Sequence, residues 1–204
     1  MKLTRHGNDE SEMTSGRTNE MARLPYLEAD QVAPEYRDML KRNTNLHKLL
    51  VNSPDMARAF SGIGGYIRFK SKLDPRLREL AILQVGWLER SEYEFTHHVE
   101  IGKEFGVTDE DIRNMMAETE GKPSALEPLA SAILKGAREM VRELAMSDAT
   151  FAAIKQELSD EHMTDLVLTI AFYCAVVRVL ATMKIDNEPT YKEVLMQYPI
   201  PGVK

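Results

Sequence analysis

Cysteine is nearly absent from this chain of 204 residues, which contains only Cys174. A single cysteine cannot form an internal disulfide, and a chain without disulfides fits a reducing compartment. The sequence also lacks any long run of Lys and Arg: it has 26 basic residues against 32 acidic ones, and its formal net charge is −6. A nucleic-acid partner requires a basic surface, so we expect none.

The N-terminal region lacks the apolar stretch that a signal peptide requires. Residues 1–22 are instead rich in Ser, Thr, Asn, Glu and Gly. This composition predicts a flexible N-terminal tail over residues 1–22, followed by a single domain over residues 23–204. Together with the single cysteine, it predicts a cytoplasmic protein.

Long hydrophobic runs are scarce, and the one at residues 166–183 contains Arg178 and Tyr173. A charged residue at the centre of a bilayer is costly. We therefore predict a core helix or an oligomer interface here, and no membrane contact. Cys174 lies in the same run, and it is a poor candidate nucleophile because apolar surroundings raise the pKa of a thiol.

Helical signals account for most of the remaining chain, and no segment alternates apolar and polar residues as a strand would. Pro34, Pro54 and Pro75 each stand where a first helical position is expected, and Ser or Thr caps precede several later apolar segments. The sequence therefore predicts an all-α protein.

Residues 73–106 organise the chain as two central helices joined by a tight turn at Glu89 and Arg90. The first begins at Asp74-Pro75 and is apolar on most sides, which predicts that it is buried. Ser91 is the expected N-cap of the second helix, which ends at Gly106. We predict a helical bundle built around this pair.

Glu79 is an ionisable residue within the nearly all-apolar first helix. If the two helices are antiparallel about Arg90, Glu79 lies eleven residues before the turn and His98 eight residues after it. At ~1.5 Å of rise per residue their heights differ by only about 5 Å, so an acid and an imidazole can meet in the core. Pairing of Glu79 with Arg76 or Arg178 in a structural role is the alternative.

Glu94 also has two interpretations. It shares one helix face with His98, four residues later, and could orient this imidazole as a general acid/base. Ser91 and Glu94 also fit a capping box, in which the glutamate bonds back to the backbone N–H of the serine. The sequence leaves both open.

These residues resemble the signature of the carboxymuconolactone decarboxylase and AhpD-like family. The motif R-E-L-A-I-L is followed by Y-E-F-x-H-H. The AhpD pattern is Glu, eleven residues, Cys-x-x-Cys, three residues and His. Glu79 and His98 match it, whereas Ser91 and Glu94 replace the cysteines. In the decarboxylase branch, Glu and His stand at the positions of Glu94 and His98.

The resemblance implies an AhpD-like fold and a decarboxylase-like lyase that acts on a small carboxylated or lactone substrate. It implies catalytic roles for His98, Glu94 and Glu79, with His98 exchanging protons near neutral pH. Four further residues are candidates for binding the substrate: Tyr93, His97, Tyr173 and Arg178. Arg178 would pair with a substrate carboxylate. The resemblance also implies a homo-oligomer, with a trimer, a hexamer or a dimer as the alternatives.

Two other functions remain open, and so does the reaction, since hydratases and isomerases use the same acid/base groups. An AhpD-like peroxidase is disfavoured because the Cys-x-x-Cys pair is missing. A non-catalytic oligomeric binding protein is the other alternative.

Glu94-x-x-His97 resembles half of a di-iron motif, but the helical body has no second copy. A site that used both His97 and His98 is also disfavoured, because adjacent histidines on a helix point about 100° apart. We predict no metal site and no cofactor.

Overall fold

The computed structural model describes residues 22–202, and within this range it contains helices and no strand. The predicted all-α class is therefore confirmed. Short 3₁₀ helices cover Pro34–Arg42 and Pro189–Tyr191. The α-helices are α1 (Asn45–Leu50), α2 (Pro54–Phe69), α3 (Pro75–Leu88), α4 (Glu92–Glu104), α5 (Asp109–Thr119), α6 (Pro128–Glu143), α7 (Asp148–Lys155), α8 (Asp160–Met183) and α9 (Lys192–Gln197).

The boundaries of the domain and the tail stay predictions. The predicted tail over residues 1–22 lies outside the described residues, apart from Ala22. Most buried apolar side chains of the described part form one core, and a smaller cluster lies around Val32 and Val51.

Local sequence signals explain most helix starts. The Asp74 side chain accepts the backbone N–H of Leu77 at the start of α3. Ser147 and Ser159 cap α7 and α8 in the same way, which satisfies an otherwise unpaired donor. Ser53 does not cap α2, and the proline that follows it accounts for that start.

Helices α3 and α4 form the predicted antiparallel pair. The turn between them is closed by Arg90 in the left-handed conformation, at φ 54°. The helices approach closely near the turn, where a Cβ on Gly86 would lie 3.1 Å from the backbone nitrogen of Phe95. The absence of a side chain at Gly86 therefore permits this close packing.

Helix α3 lies at the centre of the bundle, in contact with α4, α6 and α8. Its residues from Leu77 to Trp87 are all buried, including Arg78, Glu79 and Gln84. Burial on every side explains why α3 has no polar face, and it places two charged side chains inside the core.

Helix α8, with 24 residues, contributes one buried face to the core and leaves the other exposed. Leu166, Ile170 and Tyr173 are buried, whereas Leu168 is 60% exposed. Within the part of the chain that the structure describes, α8 is the one helix long and apolar enough to cross a membrane. Length and composition alone support that reading, and core helices often meet the same criteria.

The sequence analysis did not predict the C-terminal 3₁₀ helix or α9. Helix α9 packs against α4, and the Tyr198 hydroxyl that follows donates a 2.6 Å hydrogen bond to Asp109. This packing brings the segment before α9, which includes Glu188 and Tyr191, over the face of α4 that carries His97.

Candidate active site

Four ionisable side chains form a continuous buried row between α3 and α4. Arg78 Nη2 lies 3.0 Å from Glu79 Oε1. Glu79 Oε2 accepts a 2.6 Å hydrogen bond from His98 Nδ1, and His98 Nε2 lies 3.0 Å from Glu94 Oε1. Each of the four residues is at most 5% exposed. Alternating charges along the row compensate one another, as buried ions require.

His98 is an imidazolium at neutral pH. Burial lowers its pKa, but the negative charges of Glu79 and Glu94 outweigh burial and raise the pKa to about 9. Both ring nitrogens face carboxylates, so both must carry hydrogen. The expected proton exchange near neutral pH is therefore shifted to higher pH, because both candidate carboxylates, Glu79 and Glu94, contact the same ring.

Glu79 is paired as predicted with His98, but the arginine beside it is Arg78. Burial raises the pKa of Glu79, whereas His98 and Arg78 together lower it below its usual range. Arg76 binds Asp111 and Glu127 instead. A signal for Arg78 was present, since it is a second charged residue within the buried apolar helix.

Glu94 bonds to His98 and does not complete a capping box. Ser91 caps α4, because its hydroxyl accepts the backbone N–H of Glu94 at 3.4 Å. The Ser91 N–H, which the glutamate of a capping box would bind, donates to the Gly86 carbonyl at 2.9 Å. The Glu94 carboxylate is thereby free to contact His98.

A cavity of about 320 Å³ opens beside this row. Glu94 and His98 line it, whereas Glu79 lies behind His98. Its volume is at the lower end of the ~300–1,000 Å³ typical of ligand pockets. Much of the wall is apolar, formed by Leu46, Phe60, Ile101, Phe172 and Val176.

Tyr173, one of the candidate substrate-binding residues, lies at the cavity wall beside His98. Its ring meets the His98 ring edge-on, with centroids 4.9 Å apart, and it lines the cavity. Burial and the carboxylates of Glu94 and Glu79 raise the pKa of its hydroxyl, so the phenol stays protonated. Tyr173 can therefore donate a hydrogen bond to a bound molecule.

Tyr93 and His97 also line the cavity, but protein groups occupy their polar atoms. The His97 ring stacks between Tyr93 and Tyr191, with centroids 4.0 and 3.9 Å away. Its Nδ1 bonds to the Tyr93 carbonyl at 2.7 Å, and its Nε2 lies 2.9 Å from Glu188. The Tyr93 hydroxyl accepts from Leu46 N and donates to Glu188.

Arg178 is not brought to the cavity. It lies on the exposed side of α8, where it contacts Glu89 and the Cys174 carbonyl. Its position in the helix, two residues or about 200° from the buried Val176, directs it outwards. The cavity is lined instead by Arg42 and Arg68, which the sequence analysis did not single out because they belong to other elements.

No group of three or more His, Cys, Asp or Glu side chains among residues 22–202 is arranged to hold a metal ion. Cys174 is half-buried on α8, and burial raises the pKa of its thiol. This thiol is therefore a weak nucleophile at neutral pH.

Comparison with known proteins finds a family match over part of the chain. Residues 54–134 match the carboxymuconolactone decarboxylase family. A sequence comparison with curated proteins found no significant match.

Solved structures share the fold at low sequence identity. A peroxidase-related protein with an alkylhydroperoxidase AhpD core from Ralstonia eutropha JMP134 is 20% identical, with a TM-score of 0.71 over 86% of this chain and 96% of that one. A peroxidase-related protein from Silicibacter sp. TM1040 is 16% identical, with a TM-score of 0.69 over 87% of this chain and 97% of that one. The debrominase Bmp8 in complex with 2,3,4-tribromopyrrole is 19% identical, with a TM-score of 0.69 over 89% of this chain and 98% of that one. These likenesses establish an AhpD-like fold.

Proposed function

We propose that this chain, whose residues 54–134 belong to the carboxymuconolactone decarboxylase family, is an acid/base enzyme acting on a small carboxylated or lactone substrate. One observation carries the proposal. The buried His98 has carboxylates on both ring nitrogens and faces a cavity of about 320 Å³. A proton donor with a raised pKa at a cavity wall is typical of a catalytic site.

The two carboxylates have different roles in this proposal. Glu79 lies outside the cavity and fixes the orientation of the His98 ring. Glu94 lines the cavity and contacts Nε2, so it can accept the proton from His98 and pass it to a bound molecule. We therefore assign Glu94 and His98 as catalytic residues and Glu79 as a positioning residue.

Decarboxylation is the reaction that we favour. The bond between the substrate carbon and its carboxylate breaks, and carbon dioxide leaves without the bonding electron pair. That pair delocalises into the conjugated lactone carbonyl, where the Tyr173 hydroxyl could stabilise the developing oxyanion. The proton from His98, passed through Glu94, then forms the new carbon–hydrogen bond, and His98 regains a proton from water.

The decisive experiment is to measure carbon dioxide release from γ-carboxymuconolactone by the purified protein. We expect turnover, and we expect His98→Gln and Glu94→Gln each to lower kcat at least about 100-fold, the usual contribution of a general acid/base. His162→Gln, on α8 and outside the cavity lining, and Glu161→Gln, at an exposed position, are the matched controls. Full activity of the His98 variant would refute the proposed chemistry.

A thiol peroxidase remains disfavoured. Cys174 is the one cysteine of the chain, so no resolving thiol is available within it. The structural relatives named as peroxidase-related share the fold at no more than 20% identity. Their names therefore add nothing on this chain's chemistry.

We also propose that the protein forms a homo-oligomer through the exposed face of α8. This face carries Leu168, Ala171 and Ala175 at helical spacing, and all three are exposed. Small and apolar side chains on one helix face allow close helix contacts. The number of subunits, the cytoplasmic location and the absence of a nucleic-acid partner stay predictions.

A further inference from the structure

Two arginines bring positive charge to the cavity wall from outside the central helix pair. Arg42 is the last residue of the 3₁₀ helix Pro34–Arg42, and Arg68 is in the last turn of α2. Both line the cavity that His98 and Glu94 face.

Among residues 22–202, neither arginine has an ion pair with a carboxylate. Both guanidinium groups lie near the Phe69 ring, whose centroid is 6.0 Å from the Arg42 guanidinium carbon and 5.8 Å from that of Arg68. By contrast, Arg58 and Arg138 each bind a carboxylate. Two cations at one cavity wall repel each other, and an anion bound between them offsets this repulsion.

The neighbouring histidine shows the effect of these charges. His47 lines the same cavity, and burial together with the positive charges of Arg42 and Arg68 lowers its pKa to about 4. His47 is therefore neutral at pH 7, with Nδ1 2.7 Å from the Thr44 hydroxyl. This part of the wall holds cations and a neutral imidazole, whereas the cavity carboxylates Glu94 and Glu104 belong to α4.

We propose that Arg42 and Arg68 form an anion subsite that binds a carboxylate of the substrate. Guanidinium groups bind carboxylates through two parallel hydrogen bonds, which fixes orientation as well as charge. This inference rests on the proposed function, since it assigns the substrate class of the same cavity.

The subsite binds a carboxylate that the reaction retains. Two arginines on the carboxylate that leaves as carbon dioxide would stabilise the substrate more than the transition state, because the negative charge moves away from them. The substrate is therefore a small organic acid that carries a carboxylate besides its reacting group. A monocarboxylate that mimics the retained end should bind without reacting.

Three aromatic probes of similar shape test this subsite: benzoate, which carries a carboxylate, benzamide, which is neutral, and phenyl phosphate, which carries a phosphate. NMR titrations of the full chain should show benzoate binding and no saturable binding of benzamide, which has no charge. Arg42→Gln and Arg68→Gln should each weaken benzoate binding about 10-fold or more, because each removes a charge-assisted hydrogen-bond donor. The double variant should bind no benzoate, whereas Arg178→Gln and Arg58→Gln should bind like the unmodified protein.

Three results would overturn the inference: benzoate binding that survives in the double variant, equal affinity for benzamide, or tighter binding of phenyl phosphate than of benzoate. Circular dichroism should confirm that each variant is folded. His98→Gln separates this inference from the proposed function, because it should lose turnover while keeping benzoate affinity within a few-fold. A protein that binds benzoate through the arginines but does not turn over γ-carboxymuconolactone would support the subsite and contradict that reaction.

Discussion

At the scale of single residues, the main feature is the charge order Arg78, Glu79, His98 and Glu94. The two carboxylates raise the pKa of the buried imidazole to about 9, so the resting site holds a proton donor. A lone buried histidine would instead be neutral, because burial favours the uncharged form. The chemistry of the site therefore depends on two carboxylates that contact opposite edges of one ring.

The raised pKa of His98 predicts a pH dependence of stability. A group with a higher pKa in the folded state stabilises the fold most below its unfolded value of 6.5, and this contribution is lost as the pH rises through about 9. We expect the free energy of unfolding to fall by on the order of 2 kcal/mol between pH 7 and pH 10.

Urea denaturation at several pH values, at constant ionic strength, measures this fall. Other groups also titrate in this range, so the comparison is with His98→Gln, which should lack this component. Parallel pH profiles for the two proteins would contradict a charged, paired His98.

At the scale of helices, the contact between α3 and α4 sets the geometry of the site. Gly86 lets the helices approach near their turn. Farther along, a Cβ added to Gly102 of α4 would lie 3.5 Å from the Cβ of Glu79 on α3. The spacing of these helices fixes the 2.6 Å contact between Glu79 and His98. A change in helix spacing should therefore reach the catalytic row.

Gly86→Ala tests this dependence. The added methyl group would lie 3.1 Å from Phe95 N, which belongs to a packed backbone and cannot rotate away as a side chain could. We expect a loss of roughly 1–3 kcal/mol of stability from overpacking, together with reduced turnover.

Gly62→Ala is the matched control, because nothing lies within 4 Å of a Cβ at this exposed position in α2. There, the higher helix propensity of alanine should stabilise the protein by roughly 0.5–1 kcal/mol. Chemical denaturation compares the two variants, and equal gains in stability would show that the helix contact is not tight.

At the scale of the whole molecule, the bundle leaves apolar side chains exposed on α8. Leu168 is 60% exposed on that face, and Met196 is 76% exposed on α9. Single exposed apolar residues are common, whereas a face that also carries small residues at helical spacing fits a helix contact between subunits.

Leu168→Glu should therefore reduce the oligomer to a smaller species, because a carboxylate buried between subunits is costly without a partner. Met196→Glu introduces the same charge at an exposed apolar position away from α8 and should leave the assembly unchanged. Light scattering coupled to size-exclusion chromatography gives both masses. If Leu168→Glu leaves the mass unchanged, subunit contacts do not involve this face.

The sequence by itself determined the local part of this protein. Helix starts and the all-α class follow from caps, prolines and periodicity, which act within a few residues. The pairing of Glu79 with His98 could also be predicted, because a tight turn at Arg90 fixes the antiparallel register of the helices on either side.

Only the tertiary structure decided what surrounds that pair. Arg42, Arg68 and Tyr191 reach the cavity from elements outside the central helix pair, and Arg178 faces away although it belongs to a core helix. Helical periodicity gives the face of a residue but not the neighbour that this face meets. The cavity depends on such non-local contacts, so its anion subsite and the protonation of His98 became visible only in the folded chain.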